Sequence, residues 1–164
     1  MATQRITGVD ERQRIVAAVI EEPMYFADST NSVRASNEEV YSLHYLAALL
    51  NSDLFQWRFR LTSTNNNVGT NELESLPFRT IDPDSEVDQK LYDAVCSLAR
   101  RISRTQLELA IARSVSDLEG LQRRLHQGYS RLNELVFRLY GLSEQDVALV
   151  RSRLTSYDHR FEVD

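Results

Sequence analysis

An α+β fold is predicted by three observations. The first forty residues contain short β-branched runs broken by turn residues, apolar residues then recur at helical spacing, and serine-started caps punctuate the second half. Short strands at the N-terminus should therefore give way to helices, with a long antiparallel helical hairpin at the C-terminal end. The frame is that of an ordinary folded protein. It has 164 residues, 42% hydrophobic and 26% charged, with a net charge of -5. No run of eighteen apolar residues occurs, so no membrane span is expected. The N-terminus has no apolar signal region and Cys96 is the only cysteine, which points to a reducing, cytoplasmic location.

Taken in order, Arg14-Ile15-Val16-Ala17-Ala18-Val19-Ile20 reads as a strand ended by Glu21-Glu22-Pro23. Met24-Tyr25-Phe26-Ala27 reads as a second and Ser32-Val33-Arg34-Ala35 as a third, with Asp28-Ser29-Thr30-Asn31 the turn between them. They resemble the end of a sheet whose beginning lies elsewhere. Ser36-Asn37-Glu38-Glu39 has capping-box spacing, and Val40, Leu43, Leu46, Ala47 and Leu50 follow at helical intervals. Asn51 and Ser52 end that helix, and a second runs from Asp53 to Leu61. A polar loop occupies residues 62–70, a short capped turn ends at Pro77, and residues 80–85 read as a linker.

Beyond it, Ser85-x-x-Asp88 caps a helix striped by Leu91, Val95, Leu98 and Ile102. Ser116-x-x-Glu119 is the expected start of the next, and Gly141 its left-handed end. Ser143-x-x-Asp146 opens a last helix carrying Val147, Val150 and Leu154. Two regions result, residues 1–80 and 81–164. The stripes suit packing within a hairpin; a coiled-coil seam is the other use of such a pattern.

The sequence offers no catalytic constellation. His44, His126 and His159 lack neighbours at metal-ligand spacing, five scattered glycines form no phosphate loop, and Cys96 has no partner base. Asp84, Asp88 and Lys90 superficially match a nuclease pattern, but they fit a helix N-terminus better. The polar loop is the most informative stretch. Thr62, Ser63, Thr64 and Thr70 supply hydroxyls, Asn65, Asn66 and Asn67 supply amides, and Arg58 and Arg60 precede it. Such groups read phosphates and base edges. They also make ordinary solvated turns, and composition by itself favours that reading. Eighteen of the 19 basic residues are Arg, which codon usage in a GC-rich genome explains as readily as phosphate recognition does.

Three segments in order resemble a known family. Tyr45-Leu46-Ala47-Ala48-Leu49-Leu50-Asn51-Ser52-Asp53-Leu54-Phe55 resembles the "LNS-x-L" helix of target-recognition domains in restriction–modification systems. Gly69-Thr70-Asn71-Glu72-Leu73-Glu74-Ser75-Leu76-Pro77-Phe78 is similar to their leucine-proline turn. Leu132-Asn133-Glu134-Leu135-Val136-Phe137-Arg138-Leu139-Tyr140-Gly141-Leu142-Ser143 is similar to the helix end that closes many such chains. The pattern is that of N6-adenine DNA methyltransferases of the TaqI-like and Eco57I-like groups, including the Alw26I/Eco31I/Esp3I group.

The family's Asn-Pro-Pro-Tyr motif cannot occur here, because the only prolines are Pro23, Pro77 and Pro83. The resemblance therefore implies a non-catalytic recognition fragment or subunit of a type II enzyme. Its partners would be double-stranded DNA and a methyltransferase domain of the same or another chain. S-adenosylmethionine would belong to that parent enzyme, with no cofactor or metal in this fragment. DNA contact is expected from Arg58, Arg60, Thr62, Ser63, Asn65, Asn66 and Asn67, with Arg34 on the strand side; the helices from residue 86 would brace them. The rival reading is a helical protein-interaction module that associates with a larger partner.

Overall fold

The computed structural model describes residues 1–8, 13–21, 23–34, 41–63 and 66–155. A three-stranded antiparallel sheet forms the N-terminal layer, in the order β2-β1-β3, from β1 (Ala2–Gln4), β2 (Ala17–Ala18) and β3 (Thr30–Ser32). Ala2 faces Ala18 on one side and Ser32 on the other. The α+β expectation holds, but the strands differ in detail. The central strand was not expected, because Ala-Thr-Gln carries no β-branched run and its partners lie far along the chain. Only Ala17 and Ala18 of the expected first strand pair. The expected second strand, residues 24–27, lies outside the sheet. Of the expected third strand, residues 32–35, only Ser32 lies in β3, which starts at Thr30 because the turn is confined to Asp28 and Ser29; residue 35 lies outside the described residues.

Among the described residues six helices follow: α1 (Leu43–Leu50), α2 (Asp53–Arg60), α3 (Thr70–Glu74), α4 (Glu86–Ile111), α5 (Val115–Leu139) and α6 (Glu144–Thr155). The expected capping box at residues 36–39 lies outside the described residues; α1 is capped by the Ser42 hydroxyl, which accepts from His44 N. The α5 cap is Ser114, accepting from Asp117 N at 3.1 Å, and not the expected Ser116. Asp117 satisfies the same rule two residues earlier, and Val115 then starts the helix. The Ser85 and Ser143 caps form as expected. Gly141 has φ 66°, with Leu142 N donating to Phe137 O and Gly141 N to Arg138 O, a Schellman end that a side chain at Gly141 would strain.

α4 and α5 form the long antiparallel hairpin, and α1 packs on α4 while α2 packs on α5 and α6. A single core runs through all of them, from Met1 and Ile15 through Leu49, Phe55 and Phe59 to Val95, Val136 and Leu154. Residues 80–85 are not a loose linker. Ile81 N donates to the Tyr41 hydroxyl, Arg79 N to that of Tyr140, and the Tyr45 hydroxyl donates to Arg79 O. Arg79 also forks onto both carboxylate oxygens of Asp88 at 2.9 Å, strapping the segment to the start of α4.

Candidate nucleic-acid interface

The helix pair at residues 43–60 is a clamp for the N-terminal segment. Asn51, the α1 C-cap residue, accepts from Ala17 N at 2.9 Å and donates to Ala17 O at 2.7 Å, so one amide imitates a neighbouring strand. Gln56, 3% exposed, does the same on a larger scale. Its Oε1 accepts from Arg14 N and Ile15 N, and its Nε2 donates to Ile15 O and Leu50 O. Ser52 turns the chain between the helices: its hydroxyl donates to Leu49 O and accepts from Phe55 N. The Leu-Asn-Ser segment is therefore structural, a device that fixes the sheet edge against α1 and α2.

That clamp positions the polar loop. α2 ends at Arg60, and Ser63 N donates back to Phe59 O at 2.9 Å. Six residues on, the chain is stitched to the N-terminal segment just beyond β1. Thr7 N donates to Asn66 O, Val68 N donates to Arg5 O at 2.7 Å, and Ile6 and Asn67 form an antiparallel bridge. Asn31 of β3 adds Nδ2 to Val68 O at 2.8 Å. Val68 is fully buried and anchors the exit. Residues 66–68 of the loop thus run antiparallel beside residues 5–7, just beyond β1.

The predicted contact residues divide within this arrangement. Asn66, Asn67 and Thr62 are exposed, and Arg58 is half-buried on α2. Thr62 bonds its hydroxyl to Phe59 O at 3.3 Å. Ser63 is 5% exposed and the Nε and Nη2 atoms of Arg60 are buried, so both are built into the loop's base. Asn65 lies outside the described residues. Arg34 is exposed beyond β3, on the strand side. The loop, Arg5 and β3 are joined through the hydrogen bonds above, whereas Arg58 lies on α2.

Arg5 is the residue that sequence reasoning missed. It stands between the loop and the β3 turn, with its N–H on Ser29 O at 2.9 Å and Nη1 on Asp28 O at 3.1 Å. Only its place beside an unrecognised strand marks it. Arg14, by contrast, is 2% exposed and lies over the Phe59 ring at 5.4 Å, as part of the core.

Titratable groups elsewhere have structural causes. Burial pushes the Cys96 thiol up, which suits a packed side chain. Burial raises the Tyr140 hydroxyl to about 12, keeping it protonated as donor to Pro77 O. His44 is held below its usual value by burial and by Arg100, against Glu21. A cavity of about 400 Å³ beside α5 is lined by Asn51, Gln56 and Asn133, whose amides are engaged in the fold's own hydrogen bonds. No group of three His, Cys, Asp or Glu able to hold a metal occurs among the described residues. No helix there is long and apolar enough to cross a membrane.

Residues 2–78 match the family model of the TaqI-like C-terminal specificity domain. The matched stretch contains the sheet, the α1–α2 clamp, the polar loop and the leucine-proline turn, and stops where the strap to α4 begins. No curated protein and no solved structure matches the chain.

Proposed function

With residues 2–78 similar to a TaqI-like specificity domain, we propose that this chain is the DNA sequence-recognition part of a type II restriction–modification methyltransferase acting on adenine N6, and is not catalytic by itself. The observation that carries the reading is that the family match covers the segment in which residues 66–68 of the polar loop are hydrogen-bonded to residues 5–7, beside the sheet. A reader of base edges needs amides and hydroxyls on a rigid frame, since each good bidentate contact discriminates only when its geometry is held. Arg34 and Arg58 would take phosphates, and Asn65, Asn66, Asn67 and Thr62 base edges or sugar–phosphate oxygens. Arg60 and Ser63 would support the loop from beneath and contact DNA through what they leave exposed.

A methyltransferase domain of the same or a partner chain would supply the Asn-Pro-Pro-Tyr motif and bind S-adenosylmethionine, taking the adenine out of the stack. Residues 1–80 would then read the site and residues 81–164 brace it, in the cytoplasm, where DNA and cofactor are found. The net charge of -5 is compatible with this, because contact is confined to one small face.

Fluorescence anisotropy with a labelled 30-base-pair duplex at two salt concentrations tests the proposal. Arg58→Ala should weaken binding and lower the salt slope by about 1, as expected for one phosphate contact. Replacing Asn66 and Asn67 by Ala should erode discrimination between duplexes more than affinity. Variants that bind as the wild type does would refute these assignments.

A second reading has its own observation. Leu107, Ile111 and Val115 at the hairpin tip are 70, 78 and 71% exposed, an apolar end suited to a protein partner. Light scattering separates the two: a mass that rises with concentration and falls after Leu107→Glu/Ile111→Glu supports an interaction module.

A further inference from the structure

The expected second strand, residues 24–27, is an exposed, largely apolar segment. Tyr25 is 104% exposed, Met24 60% and Phe26 38%, and none belongs to the sheet beside it. The segment walls a groove of about 690 Å³ that is also lined by Met1 and by Thr30 and Ser32 of β3. Arg5 and Arg34 line the same groove. The pairing of Ala2 with Ser32 sets these two arginines five residues apart along the sheet, or about 17 Å at the usual rise.

Two cations at the ends of an aromatic and thioether surface match the chemistry of a nucleic-acid strand, with phosphates held at the ends and a base laid on the ring. A purely apolar partner would leave both guanidinium groups to be desolvated without a counter-charge. We propose that this groove is a second DNA contact, in which Tyr25 stacks on a base and Arg5 and Arg34 hold the phosphates on either side. The inference rests on the DNA-recognition reading and extends it. Arg5 joins the two surfaces, because its carbonyl accepts from Val68 of the loop while its guanidinium reaches Asp28 of the turn. Asp28 also lines the groove, and its negative charge opposes a phosphate there.

The test uses the full chain with the 30-base-pair duplex and with a twelve-nucleotide thymidine strand carrying one 5-iododeoxyuridine. Tyr25→Ala should weaken single-strand binding about thirtyfold, the middle of the range for loss of one stacked base. Arg5→Ala/Arg34→Ala should lower the duplex salt slope by about 2. Asp28→Asn should tighten binding, and irradiation should cross-link the iodinated base to Tyr25, as mapped by peptide mass spectrometry. If the wild type binds DNA and these variants bind equally well with no cross-link at Tyr25, the groove assignment is overturned while the loop reading stands. If the wild type binds neither probe at 50 mM salt, both fall. If DNA binding is unchanged but Tyr25→Ala abolishes a concentration-dependent rise in mass, the groove belongs to a second copy of the chain.

Discussion

Gln56 shows how a single polar side chain can organise a fold. Its amide is enclosed and makes four bonds to backbone groups of Arg14, Ile15 and Leu50. Gln56→Leu keeps the volume but strands those groups away from water, and each buried orphan costs about 1–3 kcal/mol. We expect a loss of about 3 kcal/mol in urea unfolding with the slope unchanged. Asn51→Ala should cost less, since its two bonds hold one half-exposed strand edge. The Arg79–Asp88 pair is a residue-scale pH sensor. The hydrogen bonds from Arg79 hold the Asp88 carboxyl below its ordinary value of 3.8. Its contribution is thus complete above that value and disappears as pH falls through the lower, folded-state value. Wild type should therefore exceed Asp88→Asn in thermal stability at pH 7, and the gap should close on acidification below the ordinary carboxylate range.

At the scale of elements, the α4–α5 crossing depends on Gly128. A Cβ built there would lie 3.0 Å from Cγ1 of Ile102, so the two helices approach as closely as a bare backbone permits. Gly128→Val should force the helices apart and lower Tm by about 5 °C, the overpacking cost outweighing any gain in helix order. Ile102→Ala in that background should restore part of the loss. The helices themselves were legible because Leu98, Ile102, Leu132, Leu135 and Leu139 recur with the helical period and are buried in the hairpin. Caps were legible in kind but not always in place: Ser114 and Ser116 each stand three residues before a carboxylate, and only the hydrogen-bonded geometry chooses. The strands were poorly legible. β1 pairs with residues 14 to 16 and 26 to 30 positions away, and its own three residues carry no signal of that. Of the candidate interface, the polar loop could be recognised by composition, whereas Arg5 could not, because its place beside the loop exists only once the sheet forms.

Considered whole, the chain has one core spanning both expected regions. Leu49, Leu50 and Phe55 on the recognition side share it with Val95, Leu132 and Val136 on the helical side. Residues 1–80 expressed alone should lack a cooperative thermal transition by circular dichroism, because α1 and α2 lose the helices that cover them. A sharp transition in that fragment would show that the helical region is dispensable for folding. Helix positions, their apolar faces and the polar character of residues 62–70 were already specified by local periodicity and residue chemistry, which act over one or two turns. The strand order, the amide clamps of Asn51 and Gln56, the tyrosine strap over residues 79–81 and the joining of the loop to Arg5 were decided by tertiary structure. Each of those needs two backbone segments brought together across tens of residues, and hydrogen-bonding groups do not announce their distant partners.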